Sequence, residues 1–149
     1  MDYFLSEEQQ AVRDIARQIA EEKIVPVREK LEENEEFPRE IMEFCAQSDL
    51  FTLPIPEKYG GLAAGVFELA ITIEELSKAC AGLGITISVH NSLVTKAIDI
   101  YGTDEQKQEY LPKLAAGEII GAYSLSEPNS GTDAGSLTCQ AIADGDSYV

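Results

Sequence analysis

The stretch Tyr123-Ser124-Leu125-Ser126-Glu127-Pro128-Asn129-Ser130-Gly131-Thr132-Asp133-Ala134-Gly135-Ser136 gathers hydroxyls, small residues and a carboxylate in one short run of chain. Small side chains let a ligand approach the main chain, and Ser126, Ser130 and Thr132 can donate to carbonyl or phosphate oxygens. On composition alone the signal is weak, because a plain surface turn rich in Asn, Ser and Gly explains such a string more often than an anion-binding loop does. Glu127 is the obvious candidate for a general base. His90 is the only imidazole. A lone His without carboxylate or Cys neighbours in sequence is more often a packed or hydrogen-bonded core residue than a catalyst. Cys45, Cys80 and Cys139 lie far apart with no CxxC pair, which indicates neither a disulfide framework nor a zinc site. The run Glu29, Glu32, Glu33, Glu35 and Glu36 suggests a cation site at first sight, but it reads as a solvated helix face, and no metal is expected.

Something must hold that stretch in place, and the composition allows for it. A chain of 149 residues, 44% of them hydrophobic, can build one compact core, which disfavours disorder, a membrane span and several independent domains. A formal charge of −16 repels a phosphate backbone, so nucleic acid is not expected as a partner. The N-terminal Met1-Asp2-Tyr3-Phe4-Leu5-Ser6 lacks the basic and apolar regions of a signal peptide, and a reducing cytoplasm is the expected location. The nearly charge-free stretch from Ala79 to Thr95 is too short and too rich in Ser, Thr and Asn to span a bilayer.

Helical signals dominate the first four-fifths of the chain. Ser6 with Gln9 has the spacing of a capping box, and Val12, Ile15, Ile19, Ile24, Val27 and Leu31 then form one apolar stripe, with Arg13, Asp14, Arg17 and Glu21 facing water and a bend at Pro26. Pro38 suits a first helical position and opens a short helix carrying Ile41, Met42, Phe44 and Cys45. Leu53 to Gly61 reads as an ordered loop. Val66, Leu69, Ala70, Ile73, Leu76 and Cys80 recur with helical period, with Glu68, Glu74, Glu75 and Lys78 mostly on the other side. From Gly84 to Val94, β-branched residues alternating with small polar ones favour a strand on local propensity, against a helix buried on most sides. Gly102 is placed at a helix C-terminus, Thr103 with Gln106 repeats the capping box, and Gly117 ends the helix that follows.

After Glu118 the pattern changes. Ile119 to Leu125 and Leu137 to Ala143 are β-like runs, and Asp144-Gly145 signals a hairpin whose second strand has just begun at Tyr148-Val149. A strand that stops there leaves its ladder unpaired, so the chain is expected to be the truncated front of something longer. The fold expected is mainly α: an all-α bundle over residues 1–118, then the first strands of a truncated middle β domain over 119–149.

The string Leu125-Ser126-Glu127-Pro128 followed by Gly131-Thr132-Asp133 resembles the first signature of the acyl-CoA dehydrogenase family. The resemblance extends over essentially the whole chain. It includes Leu5-Ser6-Glu7-Glu8-Gln9, Phe37-Pro38, Pro56-Glu57-Lys58-Tyr59-Gly60-Gly61, Glu74-Glu75-Leu76-Ser77, His90-Asn91-Ser92-Leu93, Tyr101-Gly102-Thr103-Asp104-Glu105-Gln106-Lys107 and Leu111-Pro112, in order and with agreeing spacing. Short-chain, butyryl-CoA-like members look most similar. The resemblance implies that Leu125 offers main-chain contacts to the flavin of FAD, that Ser126 adds main-chain and hydroxyl contacts near its reactive edge, and that Tyr123 packs beside it. It implies that Thr132 bonds the CoA portion of the substrate. Ser124 departs from the Gly, Ala or Cys more usual there, and a small hydroxyl should fit. The resemblance gives Glu127 a structural place and makes the segment around His90 a helix near the acyl pocket. Thr86, Ser88 and His90 then lie where they could influence chain-length preference, and none is assigned a site role.

The family reaction removes an α-proton from an acyl-CoA thioester with a carboxylate base and passes the β-hydrogen as hydride to flavin N5. That base belongs to a later helical domain, so no catalytic residue is assigned here, and the chain alone is expected to be inactive. An acceptor like electron-transfer flavoprotein and a homotetrameric parent are implied as well. A reading of a different class is a non-enzymatic helical binding module whose loop never holds a cofactor.

Overall fold

The chain is described by a computed structural model over residues 5–149. Met1 to Phe4, on which the expectation of no export signal largely rests, lie outside the described residues. α1 (Glu7–Ile19) starts at its capping box: Ser6 Oγ accepts the Gln9 amide at 3.2 Å, and Gln9 Oε1 accepts the Ser6 amide at 3.0 Å. Two orphan donors of the first turn are thereby satisfied reciprocally. The continuous helix expected through Leu31 is broken instead. α1 widens into a π-helical turn at Ala20–Ile24, where the Val25 amide reaches back to Ala20 O at 2.9 Å, and a separate α2 (Arg28–Glu33) follows. Pro26 supplies no amide to carry the ladder across, so the chain breaks rather than bends. Ala16, Ile19 and Ile24 are buried, whereas Ile15 and Val27 fall outside the stripe and remain exposed.

α3 (Arg39–Gln47) takes Pro38 as its N-cap, one residue before the expected position, and buries Ile41, Met42 and Cys45. Phe44 stays on the surface under the Lys23 ammonium, 4.5 Å from the ring centroid. The loop over 50–64 is ordered by its own backbone, with Leu62 N–H donating to Thr52 O at 3.0 Å, Ala63 to Ile55 O at 2.8 Å and Ala64 to Leu53 O at 2.7 Å.

α4 (Val66–Ala79) packs against both α1 and α5 (Ala81–Ser88), the latter joined to it through the single extended residue Cys80. Arg17 and Glu75, both expected to face water, meet where α1 crosses α4. Arg17 Nε and Nη2 each donate to one Glu75 carboxylate oxygen at 3.1 Å, and Lys78 Nζ adds a contact at 2.8 Å. The crossing buries Glu75, and the planar guanidinium satisfies both of its oxygens, a fit that residue period alone does not reveal. The hydrogen bonds from Arg17, above all, hold the Glu75 carboxyl below the usual carboxylate range. Val66, expected inward, is exposed in the first turn.

The segment with strand propensity is helical. α5 runs into a π-helix at Val89–Thr95 and then into α6 (Lys96–Tyr101). Ile87, His90, Asn91 and Thr95 are wholly buried there, and burial outweighs the β preference of branched side chains. Gly102 closes α6 with extended backbone. α7 (Asp104–Ala115) opens on the second capping box, with Gln106 N–H to Thr103 Oγ1 at 3.3 Å and Thr103 N–H to Gln106 Oε1 at 2.9 Å. It ends in a Schellman turn: Gly117, at φ +70°, donates to Leu114 O at 3.2 Å, and Glu118 donates to Lys113 O at 3.0 Å.

Beyond Gly117 the two β-like runs mostly fail to become strands. Ile119 to Leu125 lies in no strand, and the second run contributes only its last residue, Ala143, to β1 (Ala143–Asp144), which pairs antiparallel with β2 (Ser147–Tyr148). A strand needs a ladder partner, and among the described residues Ile119 to Leu125 has none. The hairpin loop is Gly145-Asp146, with only Gly145 at positive φ, which fits a II′ turn.

The architecture is therefore mainly α. One apolar cluster lies among α1, α3, α4 and α5 with Leu50 and Phe51, and a second unites Ile55, Tyr59, Leu111, Leu114 and Ala115. Phe51 is wholly buried between the helices. Replacing Phe51 with Ala should cost about 3–5 kcal/mol in urea unfolding, and the same change at Phe67, which is 53% exposed, should stay within about 0.5 kcal/mol.

Candidate functional site

The chain leaves the helical body at the Gly117 turn, with Ile119 N–H reaching back to Lys113 O at 3.5 Å, and among the described residues its last bond to that body is made at Gly121. Gly121 N–H donates to His90 Nδ1 at 3.1 Å. A Cβ at Gly121 would lie 2.7 Å from Val94 Cβ, so a side chain there requires the joint to shift. His90 is fully buried, with its ring centroid 4.2 Å from that of Phe51. Burial pushes the imidazole down to about 4, and the Leu114 carbonyl opposes this shift without offsetting it. The ring is therefore neutral near pH 7, and because Nδ1 accepts, its proton sits on Nε2. Among the described residues Nε2 completes no hydrogen bond of good geometry.

From Ala122 to Ser126 the chain is exposed, and among the described residues its main chain makes no intramolecular hydrogen bond. Tyr123 and Leu125 are 48% and 43% exposed, and the Ser126 hydroxyl is open. The next anchor is a tight turn in which Glu127 and Ser130 exchange backbone bonds at 2.8 and 3.1 Å. Glu127 accepts the Thr138 amide at 2.7 Å, the Cys139 amide at 3.0 Å and the Thr138 hydroxyl at 3.2 Å, and these bonds, the Thr138 amide first, hold its carboxyl below the usual range. A carboxylate committed in this way ties a loop together and is a poor proton acceptor.

The three candidate hydroxyls separate. Ser130 is buried and donates to Asp133 O at 2.6 Å, so it holds the loop. The Asp133 carboxylate accepts the Gly135 amide at 3.3 Å and the Ser136 hydroxyl, closing the 3₁₀ turn Ala134–Ser136. Ser126 and Thr132 remain exposed, on either side of the Glu127–Ser130 turn. Tyr123, Leu125 and Ser126 thus form one open edge, with Thr132 set apart from them. Sequence reasoning missed the free main chain from Ala122 to Ser126 and the joint at Gly121. The only signal for the joint was a Gly-Ala pair after an apolar run.

Thr86 Oγ1 donates to Gly82 O at 2.8 Å and Ser92 Oγ donates to Ser88 O, so the hydroxyls of this segment mainly serve the helix backbone. Thr86 also lines a cleft of about 590 Å³ beside Arg28, Leu31, Cys80 and Leu83, away from the 121–136 segment. Burial pushes the Cys45 thiol up to about 12, which leaves it a packing residue. Among the described residues no group of three or more His, Cys, Asp or Glu could hold a metal ion, and no helix is long and apolar enough to cross a membrane.

Residues 6–118 match the family described as acyl-CoA dehydrogenase, N-terminal domain. The short-chain specific acyl-CoA dehydrogenase of Clostridium acetobutylicum is 43% identical over all 149 residues, which span 39% of that protein's length. A solved structure described as the electron transferring flavoprotein of Acidaminococcus fermentans superposes with a TM-score of 0.91 at 37% identity, covering 100% of this chain and 39% of the other. An acyl-CoA dehydrogenase complexed with FAD from Bacillus anthracis superposes with a TM-score of 0.82 at 32% identity, covering 89% and 23%.

Two outcomes follow from the geometry. An imidazole that titrates at about 4 when folded and at 6.5 when unfolded contributes stability that is complete above pH 6.5 and lost as pH falls through that window, about 3 kcal/mol in all. Urea midpoints of the wild type should therefore drop between pH 6.5 and 4 more steeply than those of His90→Asn; parallel curves would show that His90 is not held neutral. Glu127→Gln should speed amide exchange at Thr138 and Cys139 about tenfold, the equivalent of one charge-assisted bond, with exchange in α4 unchanged.

Proposed function

Since the chain belongs to the acyl-CoA dehydrogenase family and carries its N-terminal domain, we propose that it is the front of a flavin-dependent enzyme that desaturates acyl-CoA thioesters between the α and β carbons. In this reading residues 1–118 form the helical domain and residues 119–149 begin the β domain that faces the cofactor. The observation that carries it is the open edge from Ala122 to Ser126, where unpaired main-chain donors and acceptors lie beside an exposed Tyr ring and a free hydroxyl. Such an edge suits a flat heterocycle that is apolar on its face and polar at its rim. The family relationship and a relative complexed with FAD support the flavin of FAD as that heterocycle.

Bound FAD would supply the acceptor for the β-hydrogen, taken as hydride. The rest falls to this chain's own groups. Leu125 holds the rim of the ring through its main chain, Ser126 adds a main-chain and a hydroxyl contact, and Tyr123 packs beside it. Thr132, across the Glu127–Ser130 turn, donates its hydroxyl to the CoA portion of the substrate. Glu127 keeps the loop in shape, and its commitment to two amides leaves the α-proton to a carboxylate outside these 149 residues. The Clostridium relative supports a short-chain acyl-CoA as substrate, and the Acidaminococcus structure supports an electron-transfer flavoprotein as acceptor. A homotetrameric parent and a cytoplasmic location complete the reading, the latter in keeping with three unpaired thiols.

The full-length protein should purify yellow, bleach anaerobically on adding butyryl-CoA and reduce an electron-acceptor dye. A colourless protein that leaves the dye oxidised sinks the proposal. Thr132→Val should raise KM for acyl-CoA about tenfold with little change in kcat, as expected for one lost hydrogen bond, and an unchanged KM removes Thr132 from the substrate site. The 149-residue chain alone should retain no FAD, measured as the flavin absorbance that copurifies with it.

A further inference from the structure

We propose that His90 is a positioning residue for the flavin: its imidazole Nδ1, by accepting the Gly121 amide, fixes where the cofactor-facing edge leaves the helical body. The inference rests on the flavin reading of that edge and deepens it by assigning the residue that aims it.

The geometry points to His90 through three independent features. Among the described residues the Gly121 amide makes the last hydrogen bond between the helical body and the chain before Tyr123, and no main-chain bond follows until Glu127. The main chain of the five residues between those anchors is therefore hydrogen-bonded only at its ends. At the same joint the absent side chain of Gly121 lets the backbone settle against Val94, where a Cβ would come within 2.7 Å. The bond and the close approach together fix both the distance and the rotation of the segment.

The ring itself is held from several sides. It lies against Phe51, and the main-chain carbonyl of His90 accepts the Thr95 hydroxyl at 2.7 Å across five residues, a contact that the π-helical turn makes possible. The neighbouring Asn91 donates to Leu50 O at 2.9 Å and ties the same turn to the loop after α3. A π-turn inserts one residue into a helix and so re-aims the side chains around it, and such turns occur often at functional sites. Here the π-helical turn carries the polar ring that meets the segment leading to Tyr123, Leu125 and Ser126. A purely apolar core would pack as well without supplying an acceptor for Gly121.

The test uses the full-length protein loaded with FAD. His90→Leu removes the acceptor and keeps most of the bulk, whereas His90→Asn keeps an acceptor near the position of Nδ1. In His90→Leu the FAD dissociation constant should rise about tenfold, the equivalent of one hydrogen bond, the visible circular dichroism of the flavin should change, and the Gly121 amide should lose protection from hydrogen exchange. His90→Asn should restore all three. Wild-type flavin affinity and dichroism in His90→Leu overturn the inference while leaving the flavin reading intact. A wild-type protein that takes up no FAD overturns the flavin reading itself, and the inference with it. If His90→Leu does not fold, Gly121→Ala disturbs the same joint from the other side and should weaken FAD to a similar degree; unchanged affinity in that variant overturns the inference equally.

Discussion

A polar ring, an amide and a hydroxyl sit at zero exposure on a single π-helical turn, and each finds one partner in the fold, while His90 Nε2 and Asn91 Oδ1 find none among the described residues. Buried polar groups destabilise a core unless they are bonded. Asn91 finds the carbonyl of Leu50, Thr95 finds that of His90, and His90 finds the Gly121 amide, so one turn of helix joins the loop after α3, its own backbone and the chain leaving α7. His90 packs on Phe51 of the first apolar cluster and lies near Leu114 of the second. Shifting the turn by one residue would take the Asn91 amide away from Leu50 and the His90 ring away from Gly121. The turn therefore specifies a single arrangement of the two clusters more than it adds stability, which is the better-attested role of buried polar networks.

What was legible in the sequence was local. Ser6 with Gln9 and Thr103 with Gln106 marked two helix starts because the bonds of a capping box join residues three apart. Gly117 marked a helix end because a left-handed residue there releases two carbonyls to the chain that follows. What escaped depended on partners distant in sequence. Residue period cannot show that Arg17 and Glu75, 58 positions apart, face each other across two helices. Nor can propensity show that Ile87, His90, Asn91 and Thr95 are wholly buried, which is why a stretch of strand-like composition is helical. The resemblance to a family supplied the helix there, where composition did not.

The site divided along the same line. The string from Tyr123 to Ser136 was visible, but its three candidate hydroxyls looked equivalent on composition, and only the fold shows Ser130 turned inward on Asp133 while Ser126 and Thr132 stay open. Glu127 drew attention as a carboxylate in a conspicuous motif, yet two backbone amides occupy it. The most useful groups of the open edge are main-chain N–H and C=O, which every residue carries and no composition can reveal.

The two anchors of that edge are of unlike chemistry, and both are insensitive to pH near neutrality. His90 is uncharged because burial holds its proton affinity down to about 4, so it remains an acceptor for Gly121 throughout the physiological range. Glu127 is ionised because backbone amides hold its carboxyl low, so it remains an acceptor for Thr138 and Cys139 over the same range. Between them, Ala122 to Ser126 carries no ionisable group except the Tyr123 phenol, and the stretch from Tyr123 to Ser136 contains no Lys or Arg. On a chain of formal charge −16, contacts to an anionic ligand along this stretch must come from neutral donors aimed by their backbone rather than from cations drawn by attraction. Neutral hydrogen bonds depend steeply on distance and angle. An edge that binds by them needs ends that neither move nor titrate, and a neutral imidazole at one end with an ionised carboxylate at the other meets that requirement.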